Sequence, residues 1–193
     1  MPFPSTAPAD LLAALAEALA AVGARWYLFG AQAALIWGRP RLTADVDVTV
    51  RLEPEEPDAL VRAFAQRGFR LRVDPGDDFV RRTRVLPFVF EPNGLPVDVV
   101  LAGPGLEELF LSRAVTVRVG SVTVPVISPE DLIVTKILAG RPKDVEDVRG
   151  ILLERGGHLD LETIRATLGM LEAALGQRDL RPAFEAELAR ARR

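Results

Sequence analysis

The sequence predicts an α/β unit followed by a helical unit. Three patterns carry that expectation: a strictly alternating run at 45–52, two hairpin signatures between 85 and 127, and helical periodicity from Leu132 to the end. Residues 1–127 are read as the α/β domain and 128–193 as a helical domain packed on it, since no Gly/Ser/Pro-rich linker separates them.

The elements follow in order. Pro8-Ala9-Asp10 opens an Ala/Leu-rich run to Val22 that Gly23 closes, the start and stop signals of a helix. Trp26–Phe29 is a short apolar strand ending at Gly30, after which a short helix runs from Gln32 to Trp37. In Asp45–Leu52, Val46, Val48, Val50 and Leu52 fall on one face and Asp45, Asp47, Thr49 and Arg51 on the other, which is a half-buried strand. A helix is expected over 53–66 and a strand over 69–73. Val85–Glu91 and Pro96–Ala102 flank Asn93-Gly94 and form an antiparallel hairpin. Ala114–Val119 and Val122–Ile127 form a second one around Gly120-Ser121. Ser128-Pro129-Glu130-Asp131 combines an N-cap serine, a proline at the first helical position and an acid three residues past the cap. Helices are expected at 132–139, 143–155, 161–175 and 179–192.

Composition narrows the chemistry. The 193 residues are 49% hydrophobic and 26% charged, which suits a packed globular chain rather than a disordered one. With 24 Lys+Arg against 27 Asp+Glu the net charge is −3, so any nucleic-acid contact must be local. There is no cysteine and one histidine, His158, read as a solvated turn residue of the Gly156-Gly157 loop. Disulfides, thiolate catalysis and a multi-histidine zinc site are thereby excluded. The apolar run Leu11–Val22 is broken by Glu17, lacks a basic leader and falls short of the roughly 20 residues of a membrane span. The expectation is a cytoplasmic protein without a membrane partner.

Carboxylates remain. Asp45 and Asp47 lie two apart in a strand, so both leave the same face and repel; a shared divalent cation reverses that repulsion, and hard oxygen ligands suit Mg²⁺ or Mn²⁺. The same pattern also fits the solvated face of an edge strand. Asp98 interrupts Val97-Asp98-Val99-Val100-Leu101, which reads as a buried strand where an isolated carboxylate is costly. Its partner is either that metal or one of the arginines. Gly30-Ala31, at a strand-to-helix junction, offers backbone N–H groups to an anion. Arg41 and Thr43 lead into the aspartate strand, where they either hold phosphate and orient the loop or simply cap it. Lys136, one of two lysines, shares a helix face with Leu132 and Ile133 and so is aimed inward, toward a phosphate, unless it snorkels to solvent. Lys143 and Asp147, four apart, fit a surface ion pair. Seven arginines (Arg62, Arg67, Arg70, Arg72, Arg81, Arg82 and Arg84) against Asp74, Asp77 and Asp78 leave a local excess of four positive charges. This stretch is either a solvated face or a seat for an RNA backbone.

Gly30-Ala31, thirteen residues, then Asp45-Val46-Asp47, with a third aspartate on a later strand, resembles the nucleotidyltransferase superfamily of the DNA polymerase β type. The fuller strings Phe29–Ala34 and Arg39–Asp47 look like the AbiEii/MenT group of nucleotidyltransferase-like toxins, and Glu130–Lys136 through Arg141–Val148 is similar to that group's helical half. The resemblance covers roughly residues 10–155. It implies a mixed sheet with flanking helices, and NMP transfer from an NTP to a hydroxyl acceptor. Asp45, Asp47 and Asp98 would be the metal-binding and catalytic residues, on two Mg²⁺ ions (or Mn²⁺). Gly30, Ala31, Arg41, Thr43, Lys136, Arg141 and Asp144 would bind nucleotide. It further implies a tRNA acceptor and an antitoxin protein as partners; a small-molecule or protein acceptor is the alternative. Ala31 departs from the glycine or serine usual in the family. Its methyl group crowds the phosphate approach and cannot donate a hydrogen bond, which opens a third reading, a nucleotide-binding or interaction module without turnover.

Overall fold

The computed structural model describes residues 6–39, 45–52, 57–73 and 78–193. Among them, β1 (Arg25–Phe29), β2 (Val46–Arg51), β3 (Phe69–Leu71), β4 (Val85–Phe90), β5 (Leu95–Leu101), β6 (Val115–Val119) and β7 (Val122–Val126) form one sheet in the order β3-β4-β5-β2-β1-β7-β6. The β2–β5 and β1–β7 pairs are parallel and the other four antiparallel, so the sheet is mixed and the α/β class read from the sequence is present. Both hairpins pair as their turn residues dictate, with Phe90 opposite Leu95 and Val119 opposite Val122.

Alternation gives the sheet two unlike faces. One carries Leu28, Val46, Val48, Val97, Val99, Leu86 and Phe88, all buried. Helix α1 (Thr6–Ala21) packs against β7 and against α3 (Pro57–Ala65), whose Phe64 meets Phe88 at 4.6 Å and Phe69 at 5.0 Å between ring centroids. The opposite face carries Asp47, Asp98 and Pro87, with Tyr27 and Thr49 buried further along the same rows.

The chain divides into two compact units, Met1–Gln32 with Thr43–Ile127, and Ala33–Leu42 with Ser128–Arg193. The second holds α6 (Pro129–Ala139), α7 (Pro142–Arg155), α8 (Leu161–Leu175) and α9 (Leu180–Ala191). Ser128 caps α6 by accepting a hydrogen bond from Asp131 N at 3.0 Å, behind Pro129 at the first position. Residues 33–39 group with these helices rather than with the sheet because glycines let the backbones meet. A Cβ on Gly38 would stand 3.1 Å from Ile151 N, and one on Gly150 3.3 Å from Arg39 N. Arg155 secures the contact, donating to Trp37 O and Ile36 O while its guanidinium lies 5.2 Å from the Trp37 ring centre.

Two short helices were not expected from the sequence, α4 (Asp78–Thr83) and α5 (Leu106–Arg113). β3 stops at Leu71 rather than Val73, and the helix expected from residue 53 is described only from Pro57, residues 53–56 lying outside the described set. Among the described residues no helix is long and apolar enough to cross a membrane.

Candidate active site

β2 and β5 bring two of the three expected aspartates side by side. In their parallel register Val46 stands opposite Val97, Asp47 opposite Asp98 and Val48 opposite Val99. Paired residues of neighbouring strands share a face, so both carboxylates leave the sheet on the side away from the phenylalanine cluster. Asp45 precedes β2 by one residue and is exposed.

Gly30 explains why Asp47 can sit where it does. Phe29, the last residue of β1, is the register partner of Asp47, and the chain then turns at Gly30 into α2 (Gly30–Trp37) with φ +64. A Cβ built on Gly30 would lie 2.0 Å from Asp47 Oδ2 and 2.8 Å from its Cγ. The carboxylate thus occupies the space that any other residue at this position would fill, and it stands at the positive N-terminal end of α2 beside Ala31.

Asp98 is not in the buried setting expected of its strand. Burial alternates along β5, with Val97, Val99 and Leu101 buried and Asp98 between them 41% exposed. It is held by Arg72, whose Nη2 lies 2.6 Å from Asp98 Oδ1. Arg72 is itself tied to β4, donating through Nε to Phe88 O at 3.1 Å and through its backbone N to Pro87 O at 2.7 Å. Sequence reasoning placed Arg72 only within a basic stretch. The signal that singles it out is the strand order, which sets β3 one strand away from β5 with Pro87, the partner of Asp98, between them.

Lys136, Arg141 and Asp144 come together with one another in the helical unit. Lys136, 7% exposed, places Nζ 2.9 Å from Asp144 Oδ1 and 2.8 Å from Asp147 Oδ2. Arg141 donates to both oxygens of Asp144, at 2.5 and 3.1 Å. Burial works to raise the Asp144 carboxyl, but hydrogen bonds from Arg141 and Lys136, and their charges, outweigh it and hold the group below its ordinary value. Asp147, expected to pair with Lys143 on the surface, is instead buried against Lys136, while Lys143 is exposed. Arg41 and Thr43 lie outside the described residues.

Asp45, Asp47 and Asp98 supply the hard oxygen donors that a divalent cation takes, and strand placement puts Asp47 and Asp98 in adjacent positions beside a glycine cradle. In donor chemistry and backbone placement the residues fit such an ion. Among the described residues no group of three His, Cys, Asp or Glu side chains is drawn together to hold one, and Asp98 is paired with Arg72.

Comparison with known proteins bears on the family and the fold. The sequence profile of the family described as "Nucleotidyltransferase of unknown function (DUF6036)" matches residues 12–176. No curated protein matches the chain. Among solved structures, an antigenic nucleotidyltransferase-like protein from Paracoccidioides brasiliensis superposes with a TM-score of 0.56 at 18% identity, covering 94% of each chain. The antibiotic-resistance factor ANT(2'')-Ia superposes with a TM-score of 0.58 at 14% identity, covering 90% of this chain and 95% of that one. A second structure of it, in complex with adenylyl-2''-tobramycin, gives 0.57 at 17% identity over 86% and 98%. At these identities the likeness is one of fold.

Proposed function

The chain belongs to the DUF6036 family of nucleotidyltransferases, and from that premise we propose that it moves a nucleoside monophosphate from an NTP to a hydroxyl acceptor. The observation that carries the reading is the in-register pair Asp47 and Asp98 on β2 and β5, beside a glycine that leaves room for the Asp47 carboxylate at the start of α2.

Each residue has a task that its placement suits. Asp45 and Asp47 would hold a divalent cation that accompanies the triphosphate. That ion, when bound, neutralises charge developing on the phosphate oxygens. The N–H groups at the first turn of α2, around Gly30 and Ala31, lie at the helix end that favours an anion. Asp98, half-exposed, would join Asp45 and Asp47 in holding the ions and receive the proton of the acceptor hydroxyl. The acceptor oxygen bonds to the α-phosphorus, the bond to the β-phosphate bridge breaks, and pyrophosphate leaves. His158, exposed in the loop after α7, has no part in this.

A small-molecule acceptor is favoured by how the arginine stretch is used. Arg67 pairs with Glu17, Arg70 with Glu91, Arg72 with Asp98 and Arg81 with Asp78. Arg84 donates to Leu101 O and Ala102 O. Four of the seven guanidiniums thus face a carboxylate of the protein itself, which lowers the excess open to a polynucleotide backbone. The fold shared with ANT(2'')-Ia, seen with an adenylylated tobramycin, points the same way. A tRNA acceptor with an antitoxin partner, which the AbiEii/MenT resemblance implies, is the competing arm of the test. The protein is incubated with α-labelled NTPs, Mg²⁺ and either an aminoglycoside panel or total tRNA. Label transfer is expected to fall by about 10²-fold or more in Asp47→Asn; transfer that survives this change refutes the site. NTP binding without turnover on any acceptor leaves only the third reading, the binding module that Ala31 suggests.

A further inference from the structure

Arg72 stands apart from the other arginines of its stretch because its partner is a residue of the candidate site. Its side chain crosses from the end of β3 over β4 to β5, and two backbone ties, Nε to Phe88 O and N to Pro87 O, fix it before it reaches Asp98. A planar fork anchored in this way loses little further freedom on meeting the carboxylate. The pair is 42% and 41% exposed, so it contributes little to folding. Its position instead places a permanent positive charge on the carboxylate in register with Asp47.

We propose that Arg72 is a positioning residue that acts through Asp98, serving as its resident counter-cation and setting how readily a divalent ion engages that carboxylate. With Arg72 in place, Asp98 is neutralised and turned toward β4, which relieves its repulsion from Asp47 in the absence of metal and makes a cation compete for its oxygens. The inference rests on the metal-binding role given above to the aspartate face.

Mn²⁺ binding, followed by the loss of free-ion paramagnetic resonance signal, tests it without recourse to turnover. A unit charge next to a divalent ion is worth about tenfold in affinity even at a solvent-like dielectric. Arg72→Gln is therefore expected to tighten Mn²⁺ binding about tenfold. Arg72→Lys keeps the charge and should stay within about twofold of the parent protein. In an Asp98→Asn background, Arg72→Gln should change the affinity far less, since the residue acts through that carboxylate. Binding that is unchanged or weaker in Arg72→Gln while the parent protein binds Mn²⁺ overturns the role of Arg72 alone, as does a tightening of the same size with Asn at 98. Failure of every protein in the series to bind Mn²⁺ overturns the metal site and this inference with it. Superimposable circular dichroism spectra of the parent and the Gln and Lys variants establish that the folds compared are the same.

Discussion

Gly30 ties backbone conformation to site chemistry in a single residue. Its φ of +64 is one that L-residues adopt at a cost of roughly 1–2 kcal/mol, and its missing Cβ is the space taken by Asp47 Oδ2. Gly30→Ala is therefore expected to lower stability by about 1–3 kcal/mol in urea unfolding and to displace the Asp47 carboxylate, with loss of Mn²⁺ binding. The steric part requires both residues. In an Asp47→Ala background the cost of Gly30→Ala should shrink toward the backbone term, so a double-mutant cycle yields a coupling, and strict additivity would count against the close approach. The glycine was legible in the sequence as a place where backbone approaches an anion. Its nearest anion in the structure is the protein's own aspartate.

At the scale of elements, the turn between α6 and α7 sets Lys136 against two carboxylates one helical turn apart, Asp144 and Asp147. Removing the cation takes a shared partner from both buried acids and leaves Asp144 to Arg141. Lys136→Met should therefore destabilise by about 3–5 kcal/mol, read as a lowered urea midpoint, while Lys143→Met should move it by no more than about 0.5 kcal/mol. Equal midpoints for the two variants would remove the structural role of Lys136. Elements with strong local signals were legible. The alternation of β2, both hairpins and the Ser128-Pro129 cap needed no partner to be recognised. α5 was missed because Gly105 gives it no side-chain cap and Phe110 is its one buried residue, so neither a start signal nor an apolar stripe marks it. α4 was missed for a similar reason, Val80 being its one buried residue. The candidate site was legible as a list of aspartates and not as a geometry. Which strand lies beside β2, and that an arginine from β3 reaches Asp98, follow from sheet order, and sheet order is decided by packing between distant segments rather than by any window of sequence.

Across the whole molecule, charge and pH act unevenly, because the helical unit concentrates acids whose ionised forms are stabilised by the fold. Hydrogen bonds from the Arg181 backbone and side chain hold Glu172 below its ordinary value, and Arg149 and Arg165 do the same for Glu187 and Glu185 through their side chains. Asp144 is lowered by Arg141 and Lys136 against its burial. A carboxyl whose folded value is depressed binds protons less readily than the same group in the unfolded chain. Its contribution is complete above the unfolded value, near 4, and is lost as pH falls through the lower folded value. Acidification also converts a chain of net charge −3 into one dominated by its 24 Lys and Arg, adding self-repulsion. The urea midpoint followed by far-ultraviolet circular dichroism is therefore expected to hold from pH 7 to about 5 and to drop steeply between about pH 4.5 and 2.5. Glu172→Gln should flatten that drop, because it removes one of the protons taken up on unfolding. A midpoint that stays level down to pH 3, or a slope untouched by Glu172→Gln, would show that these ion pairs do not couple proton uptake to the fold.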